Sequence, residues 1–414
     1  MRKWICIILS AVLILCAVPV SAADNTVQLT GEPIFIDSET ESTVWVAPNG
    51  GTLTWDKDSG TLTFHDFQYE ITKPTERENL SAVYTEAASR IVLSGTNALS
   101  CSSAMTRTLG LSGKPTISGD GKLTVTGPTL GPDDVTRIFE TYGMCVMEAL
   151  GGSFTLDSGT IEAIGGKITC DSSLKIVVAI QDYSSSYGVQ TYGTIQINGG
   201  QLIAVGGSAS GRKVYNDSIG IYAANLIING GSVIASGKTY GVTGSTELTF
   251  PQYSEGTLYA VGEKSGIGFN TVSDGAIVRG SAEINAGEES VTDETTVREA
   301  FLSVYNEDGS HAGTFLRYEY VTHDGALAKT MTARRDNERK AAVSDPGAEI
   351  SGEADSAASF ALTLKNIKPD EVPQIEWTGN IPCGILLSFA DDTVTLTSDG
   401  TTQKGVYPFK LIFG

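Results

Sequence analysis

An irregular internal repeat constrains this chain more than any other feature. Gly151 to Gly166 reads GGSFTLDSGTIEAIGG, Gly193 to Gly207 reads GTIQINGGQLIAVGG, Ala224 to Lys238 reads ANLIINGGSVIASGK, and Gly244 to Gly262 reads GSTELTFPQYSEGTLYAVG. Each segment opens on a short run with alternating apolar residues, such as Ile195/Ile197 or Leu226/Ile228. A polar or glycine-rich corner follows: Asp157-Ser158-Gly159, Asn198-Gly199-Gly200 or Asn229-Gly230-Gly231. A second run then ends in Ala163, Ala204, Ala235 or Ala260. A third element precedes each unit: YGMCV from Tyr142, YGVQT from Tyr187, IGIYA from Ile219 and YGVTG from Tyr240. Degenerate copies run from Leu80 to Leu93 and from Leu109 to Gly127, and a late one begins at Gly266.

Three short strands with one inward face each cannot bury a core alone, but stacked copies can. Glycine and asparagine at the corners supply the positive φ that tight bends need. Small alanines suit places where the cross-section narrows. An up-and-down barrel would repeat two elements, whereas this chain repeats three. The sequence therefore predicts an all-β chain whose body, residues 76–290, is a right-handed parallel β-helix (β-solenoid).

The flanks read differently. Thr52 to Trp55 and Thr61 to Phe67 alternate around Asp56-Lys57-Asp58-Ser59-Gly60, a hairpin signature. Residues 23–75 are read as a β cap over the first repeat, since an open end is an aggregation edge. The repeat fades near Ile284. Residues 291–349 are read as connecting strands and linker: a strand pair from Val297 to Tyr320 turns at Asn306 to Gly309, and the charged, Ala-rich stretch from Ala328 to Ala348 is read as a linker or mobile loop. Residues 350–414 return to short alternating runs spaced by turns, the pattern of a small C-terminal β-sandwich with Trp377 in its core.

Residues 1–22 have the form of a signal peptide: Arg2 and Lys3, an apolar stretch from Trp4 to Val18, then Val20-Ser21-Ala22. The stretch is too short, with the wrong flanks, for a membrane span. Leu15 before Cys16 does not suit lipobox processing, so lipidation is not expected. The chain is expected to be secreted, with surface association left open. No LPxTG signal, surface-layer repeat or dockerin pattern is seen, so covalent wall attachment is not expected. The formal net charge is −20, and losing Arg2 and Lys3 makes it two units more negative. Such a chain repels nucleic acid and anionic lipid. It could hold an acidic polymer if divalent cations bridge carboxylates. The remaining cysteines, Cys101, Cys145, Cys170 and Cys383, match no zinc spacing and read as buried small residues, with a Cys145–Cys170 bridge left open.

Three insertions fall at one point of the repeat, after the Ala-ending strand: Pro128 to Thr141, Lys167 to Ser186 and Ser208 to Ser218. In a stacked repeat such insertions share one face, often the binding face. They carry the candidate ligand-binding residues Asp133, Asp134, Arg137, Asp182, Tyr183, Arg212, Lys213, Tyr215 and Asn216. Asp133, Asp134, Asp182 and Asp217 offer hard oxygens suited to calcium, the one cofactor these residues favour. Tyrosines give flat faces to sugar rings, and Arg or Lys can pair a uronate. The competing reading is that exposed loops are simply polar. Trp45 and Trp55 are read as cap core, and the recurring Tyr142, Tyr187 and Tyr240 as a stacked structural ladder.

The entry motif WDKDSGTLTF from Trp55 to Phe64, with LIINGGSVIASG and IGIYAAN in later repeats, resembles a family of secreted Gram-positive carbohydrate-binding-domain β-helix proteins. The resemblance covers roughly Asp24 to Gly287. It implies a right-handed parallel β-helix, an extracellular location and calcium-assisted binding of acidic plant polysaccharide. This chain departs from the family in its long insertions, and no fixed set of ligand residues carries over. GVYPFKLIF, from Gly405 to Phe413, is similar to the last strand of bacterial immunoglobulin-like modules.

Parallel β-helices also host pectin-degrading enzymes. The polygalacturonase pattern would show NTD, a DD pair, GHG and RIK in successive repeats, and only Asp133-Asp134 matches any of it. A lyase would need an acidic calcium site with an Arg or Lys base, for which Arg137 or Arg212 near Asp133, Asp134 or Asp182 could serve. No catalytic residues are assigned. The expectation is a non-catalytic binder of polysaccharide or cell-surface glycan. A protein-binding adhesin and a polyuronate lyase are the alternatives.

Overall fold

A computed structural model of the chain describes residues 25–73, 81–102, 105–130, 140–147, 152–169, 183–210, 215–269, 271–281, 296–305, 311–322, 325–338, 340–343, 353–365, 367, 371 and 373–412. Their regular structure is all β, and no helix among them is long and apolar enough to cross a membrane. The chain divides into two compact units, residues 1–335 and 336–414.

In the first unit each repeat contributes three strand segments, the first two running on as one strand in Tyr215–Ile228 and in Tyr240–Thr249, and each pairs in parallel with its counterpart in the next repeat. One ladder runs through Ser81–Thr85, Arg107–Ser112, Glu140–Met147, Tyr183–Thr191, Tyr215–Ile228, Tyr240–Thr249 and Ser265–Gly268. A second ladder of the same sheet joins Thr61–His65, Arg90–Ser94, Thr116–Gly119, Phe154–Leu156 and Thr194–Ile197, then continues into Tyr215–Ile228. Another sheet stacks Gln68–Ile71, Thr96–Cys101, Lys122–Thr126, Thr160–Ile164, Gln201–Val205, Ser232–Gly237 and Thr257–Gly262.

The register explains the sequence pattern. Val83, Leu109, Met144, Val189, Ile221, Val242 and Ile267 form one buried column, and Ala163, Ala204, Ala235 and Ala260 form another. At the corners between the second ladder and the alanine-bearing strands, Gly159, Gly200 and Gly231 have φ of +83°, +68° and +70°, where a side chain would be strained. Beside them Asn198 donates to Asp157 Oδ1 at 2.7 Å, and Asn229 donates to Asn198 Oδ1 at 2.7 Å. Each corner is thus tied to the one before it.

Gly143, Gly188, Gly220, Gly241 and Gly266 follow the first residue of the third repeated element. A Cβ on Gly188 would meet Ala163 O at 2.7 Å, and one on Gly220, Gly241 or Gly266 would meet the carbonyl of Ala204, Ala235 or Ala260 at 2.6 to 2.9 Å. The glycine column therefore lets one sheet seat directly on the backbone of the other. In the earlier repeat the matching position is Thr108, whose hydroxyl donates to Thr126 O at 2.6 Å.

At the N-terminal end, Thr43–Val46, Thr52–Asp56 and Thr61–His65 make an antiparallel meander that includes the expected hairpin. Trp45 and Trp55 are buried, and Trp55 Nε1 donates to Thr40 O at 3.0 Å. At the other end, Thr296–Tyr305 pairs antiparallel with His311–Val321. The stretch read as a linker from Ala328 begins instead as a strand. Thr330–Arg335 pairs antiparallel with both Thr257–Gly262 and Ala276–Ser281, burying Met331 and Ala333. Its alternation, with Met331 and Ala333 inward and charged or polar residues between, is short enough to be hidden by the flanking charge.

In the second unit, Lys340–Val343, Ala354–Lys365, Thr393–Asp399 and Ile385–Ala390 form an antiparallel sheet, and Gln374–Trp377 pairs with Phe409–Ile412. Leu362, Val394 and Leu396 are its buried centre, with Phe409 and Leu411 of the two-stranded sheet packed against them. Trp377 is half-buried and stands edge-on to Phe409, 5.3 Å between centroids. Cys383 is exposed rather than buried, because it lies in the turn before Ile385–Ala390. Cys101 is buried, while nothing is described of Cys170.

Candidate functional site

The insertions share a structural root. Each leaves its strand through a glycine, after Ala163 or Ala204 or, in the first case, after Val125 at the matching position, and the residues that follow form a separate small parallel sheet of Thr129–Leu130, Lys167–Thr169 and Ser208–Ser210. Thr129 pairs with Lys167, which pairs with Ser208. Leu130 and Ile168 are buried. Backbone bonds set the departures: Gly127 N to Ile164 O, Gly165 N to Val205 O and Gly206 N to Ser236 O, each 2.7 Å. Ser186 Oγ donates to Gly166 O at 2.7 Å, fixing the return of one insertion against its own exit.

The returns are also in register. Tyr183 pairs with Tyr215, Ser184 with Asn216 and Ser185 with Asp217, as Glu140 does with Ser185. Four of the candidate residues, Tyr183, Tyr215, Asn216 and Asp217, thus belong to strands rather than to loops. Parallel pairing extends outward along Glu140–Met147, Tyr183–Thr191 and Tyr215–Ile228 beyond the repeat's third element, which the insertion boundaries concealed. Asp133, Asp134, Arg137, Asp182, Arg212 and Lys213 lie outside the described residues.

Inside the returns stands a ladder of rings. Tyr142 and Tyr187 stack 5.2 Å apart at 12°, and Ile219 continues the buried cluster, with Tyr222 and Tyr240 packed against it. The Arg107 guanidinium sits 5.9 Å from the Tyr142 centroid and Lys264 Nζ 6.0 Å from that of Tyr240, so a cation faces each end of the ladder. Tyr142 and Tyr187 are buried and stacked on each other, and Tyr240 packs partly buried against the same cluster.

Two carboxylates of the first unit are perturbed. Lys73, with the Thr30 hydroxyl and N–H, holds Glu32 down at about 2. Lys122, at 2.6 Å, holds Glu162 below the usual range on the other sheet. Among the described residues no three His, Cys, Asp or Glu side chains converge as metal ligands would. No protein-family model, curated protein or solved structure matches this chain.

Sequence reading missed Tyr192, which is 65 % exposed and stands 5.8 Å from Tyr222, the rings 74° apart. Neither residue sits at the recurring tyrosine position, so periodicity gave no signal. The signal available was a tyrosine between Thr191 and Gly193 at a corner, where the neighbouring repeat has Ala224.

Proposed function

We propose that this chain is a secreted, non-catalytic carbohydrate-binding protein whose first unit is a right-handed parallel β-helix and whose second is an immunoglobulin-like sandwich. Three strands per repeat, each in parallel register with its successor, favour the helical stack, and parallel crossovers of this kind are right-handed in nearly all cases. The observation that carries the functional reading is the small third sheet. It stacks the roots Thr129–Leu130, Lys167–Thr169 and Ser208–Ser210, from which the three polar insertions leave, in register on one another. Rigid elements that project adjacent loops are a common way to build a binding face.

The proposed ligand is an acidic, uronate-containing polysaccharide. In a chain of net charge −20, carboxylate meets carboxylate only through a cation. Asp133, Asp134, Asp182 and Asp217 are the proposed calcium ligands; Asp217 pairs in register with Ser185. Arg137, Arg212 and Lys213 would pair remaining uronates, while Tyr183, Tyr215 and Asn216 would contact sugar rings and hydroxyls. The signal-peptide form of residues 1–22 and the family resemblance support an extracellular setting.

Affinity gel electrophoresis of the mature protein through polygalacturonate, with calcium or with EDTA, tests this reading. Retardation lost on chelation is the expected result. No retardation in either condition would overturn it in favour of a protein-binding adhesin. Growth of ultraviolet absorbance from unsaturated uronate would instead make the protein a lyase.

A further inference from the structure

We propose that Tyr192 and Tyr222 form a second sugar-contacting site, an aromatic corner that receives one pyranose ring of a polysaccharide chain. The proposal rests on the carbohydrate-binding reading above and assigns that activity to two residues outside the insertions.

The two rings meet at 74° with 5.8 Å between centroids, so they make a floor and a wall rather than a flat stack. Tyr222 is held from beneath by the buried Tyr187, 6.2 Å away at 75°, and Tyr187 is in turn stacked on Tyr142. Tyr192 is 65 % exposed, against 7 % for Tyr187 and 5 % for Tyr142. The series therefore runs from packed ring to open ring. Its inner members fix the orientation of its outer ones, and a sugar would lose little by ordering them.

Tyr192 lies at the corner between Tyr183–Thr191 and Thr194–Ile197, with most of its ring open to solvent. The same corner one repeat later has Ala224, and the stack continues without a ring there. Polar groups lie next along the chain. Thr194 and Asn225 pair in register, and Asn225 Nδ2 donates to Thr194 Oγ1 at 3.4 Å, followed in the next strand by Glu247. Tyrosine faces, with amide, hydroxyl and carboxylate groups further along the chain and in the next strand, match a pyranose, which offers a C–H face to an aromatic ring and hydroxyls at its rim. A ring-face contact does not require the sugar's carboxylate, so this contact is independent of calcium.

The test is calorimetric titration of the full-length mature protein with oligogalacturonates in calcium, and with neutral cello-oligosaccharides in EDTA. Tyr192→Ala removes a mostly exposed ring and should leave the protein folded, with only a small fall in melting temperature from the lost contact with Tyr222. The expected result is binding about tenfold weaker than wild type for whichever probe binds, near-wild-type binding by Tyr192→Phe, and equal or tighter binding by Tyr192→Trp. If wild type binds a probe and Tyr192→Ala binds it equally well, the corner is overturned while the carbohydrate reading stands. If wild type binds neither probe, the carbohydrate reading fails and the corner falls with it. Loss of binding in Tyr192→Ala and Tyr192→Phe alike would also overturn the stacking role, since phenylalanine keeps the ring.

Discussion

The carbonyl oxygen of Ala163 lies 2.7 Å from where a Cβ on Gly188 would stand. Val205 N is equally close, and Gly220 O is 2.8 Å away. All three are backbone atoms, on two different sheets, and none can turn aside as a side chain would. Gly188→Ala should therefore cost more than about 3 kcal/mol, at the upper end for overpacking. Urea unfolding followed by circular dichroism checks this. A loss under about 1 kcal/mol would mean that the two sheets can move apart, and that the glycine column is not what sets their spacing.

That column shows how much of the fold is legible in the sequence. The Tyr-Gly and Ile-Gly pairs recur because the ring packs in one column while the glycine meets the alanine carbonyls opposite. Both halves of the pattern are visible as letters. The asparagine corners are visible for the same reason: Asn198 and Asn229 bond to their predecessors only if consecutive repeats are in register. Features made once leave no period. The closing strand Thr330–Arg335 is antiparallel, occurs once and is flanked by charge, so it reads as linker. Tyr192 is used in a single repeat. The insertions are legible as insertions, but not their short shared sheet, because two or three residues such as Thr129–Leu130 carry no alternation of their own.

The stacked pair Tyr142 and Tyr187 should behave as core. Tyr187→Ala removes a buried ring between Tyr142 and Tyr222, and is expected to destabilise the first unit by about 3 kcal/mol. Tyr187→Phe keeps the ring contacts and should cost less than about 1.5 kcal/mol. Chemical denaturation of the two variants side by side gives the comparison. Equal losses would place the contribution in the hydroxyl rather than in the stack.

Two buried tyrosines give the first unit an alkaline weakness. Burial is the main cause that pushes Tyr69 and Tyr320 up to about 12 from an ordinary 10.0. The folded state then holds protons that the unfolded state has released. The stability these groups contribute is complete below about pH 10 and is lost as pH rises toward 12. Tyr69 has hydrogen bonds at risk, accepting from Gly31 N at 2.9 Å and donating to Glu32 O at 2.8 Å. Melting temperatures between pH 9 and about 12 should fall less steeply for Tyr320→Phe than for wild type. Parallel curves for the two proteins would mean that Tyr320 ionises without opposing the fold.

The last prediction concerns the end of the stack. Thr257–Gly262 would present an open parallel edge if nothing covered it, and such edges recruit other chains. Thr330–Arg335 covers it antiparallel, with Ala260 opposite Met331. Met331 also reaches the other sheet, where its sulfur accepts the N–H of Ile267 at 3.2 Å, in the final strand of that ladder. One side chain thus helps to close both sheets. Met331→Asp would bury a charge without a partner, a cost of several kcal/mol that the strand avoids by detaching. The expected outcome is a first unit that keeps its β signal by circular dichroism yet associates as concentration rises, seen as a growing mass by light scattering. Met331→Leu, which retains the volume, should stay at the wild-type mass. If Met331→Asp also stays at that mass with unchanged stability, the closing strand is not what protects the edge.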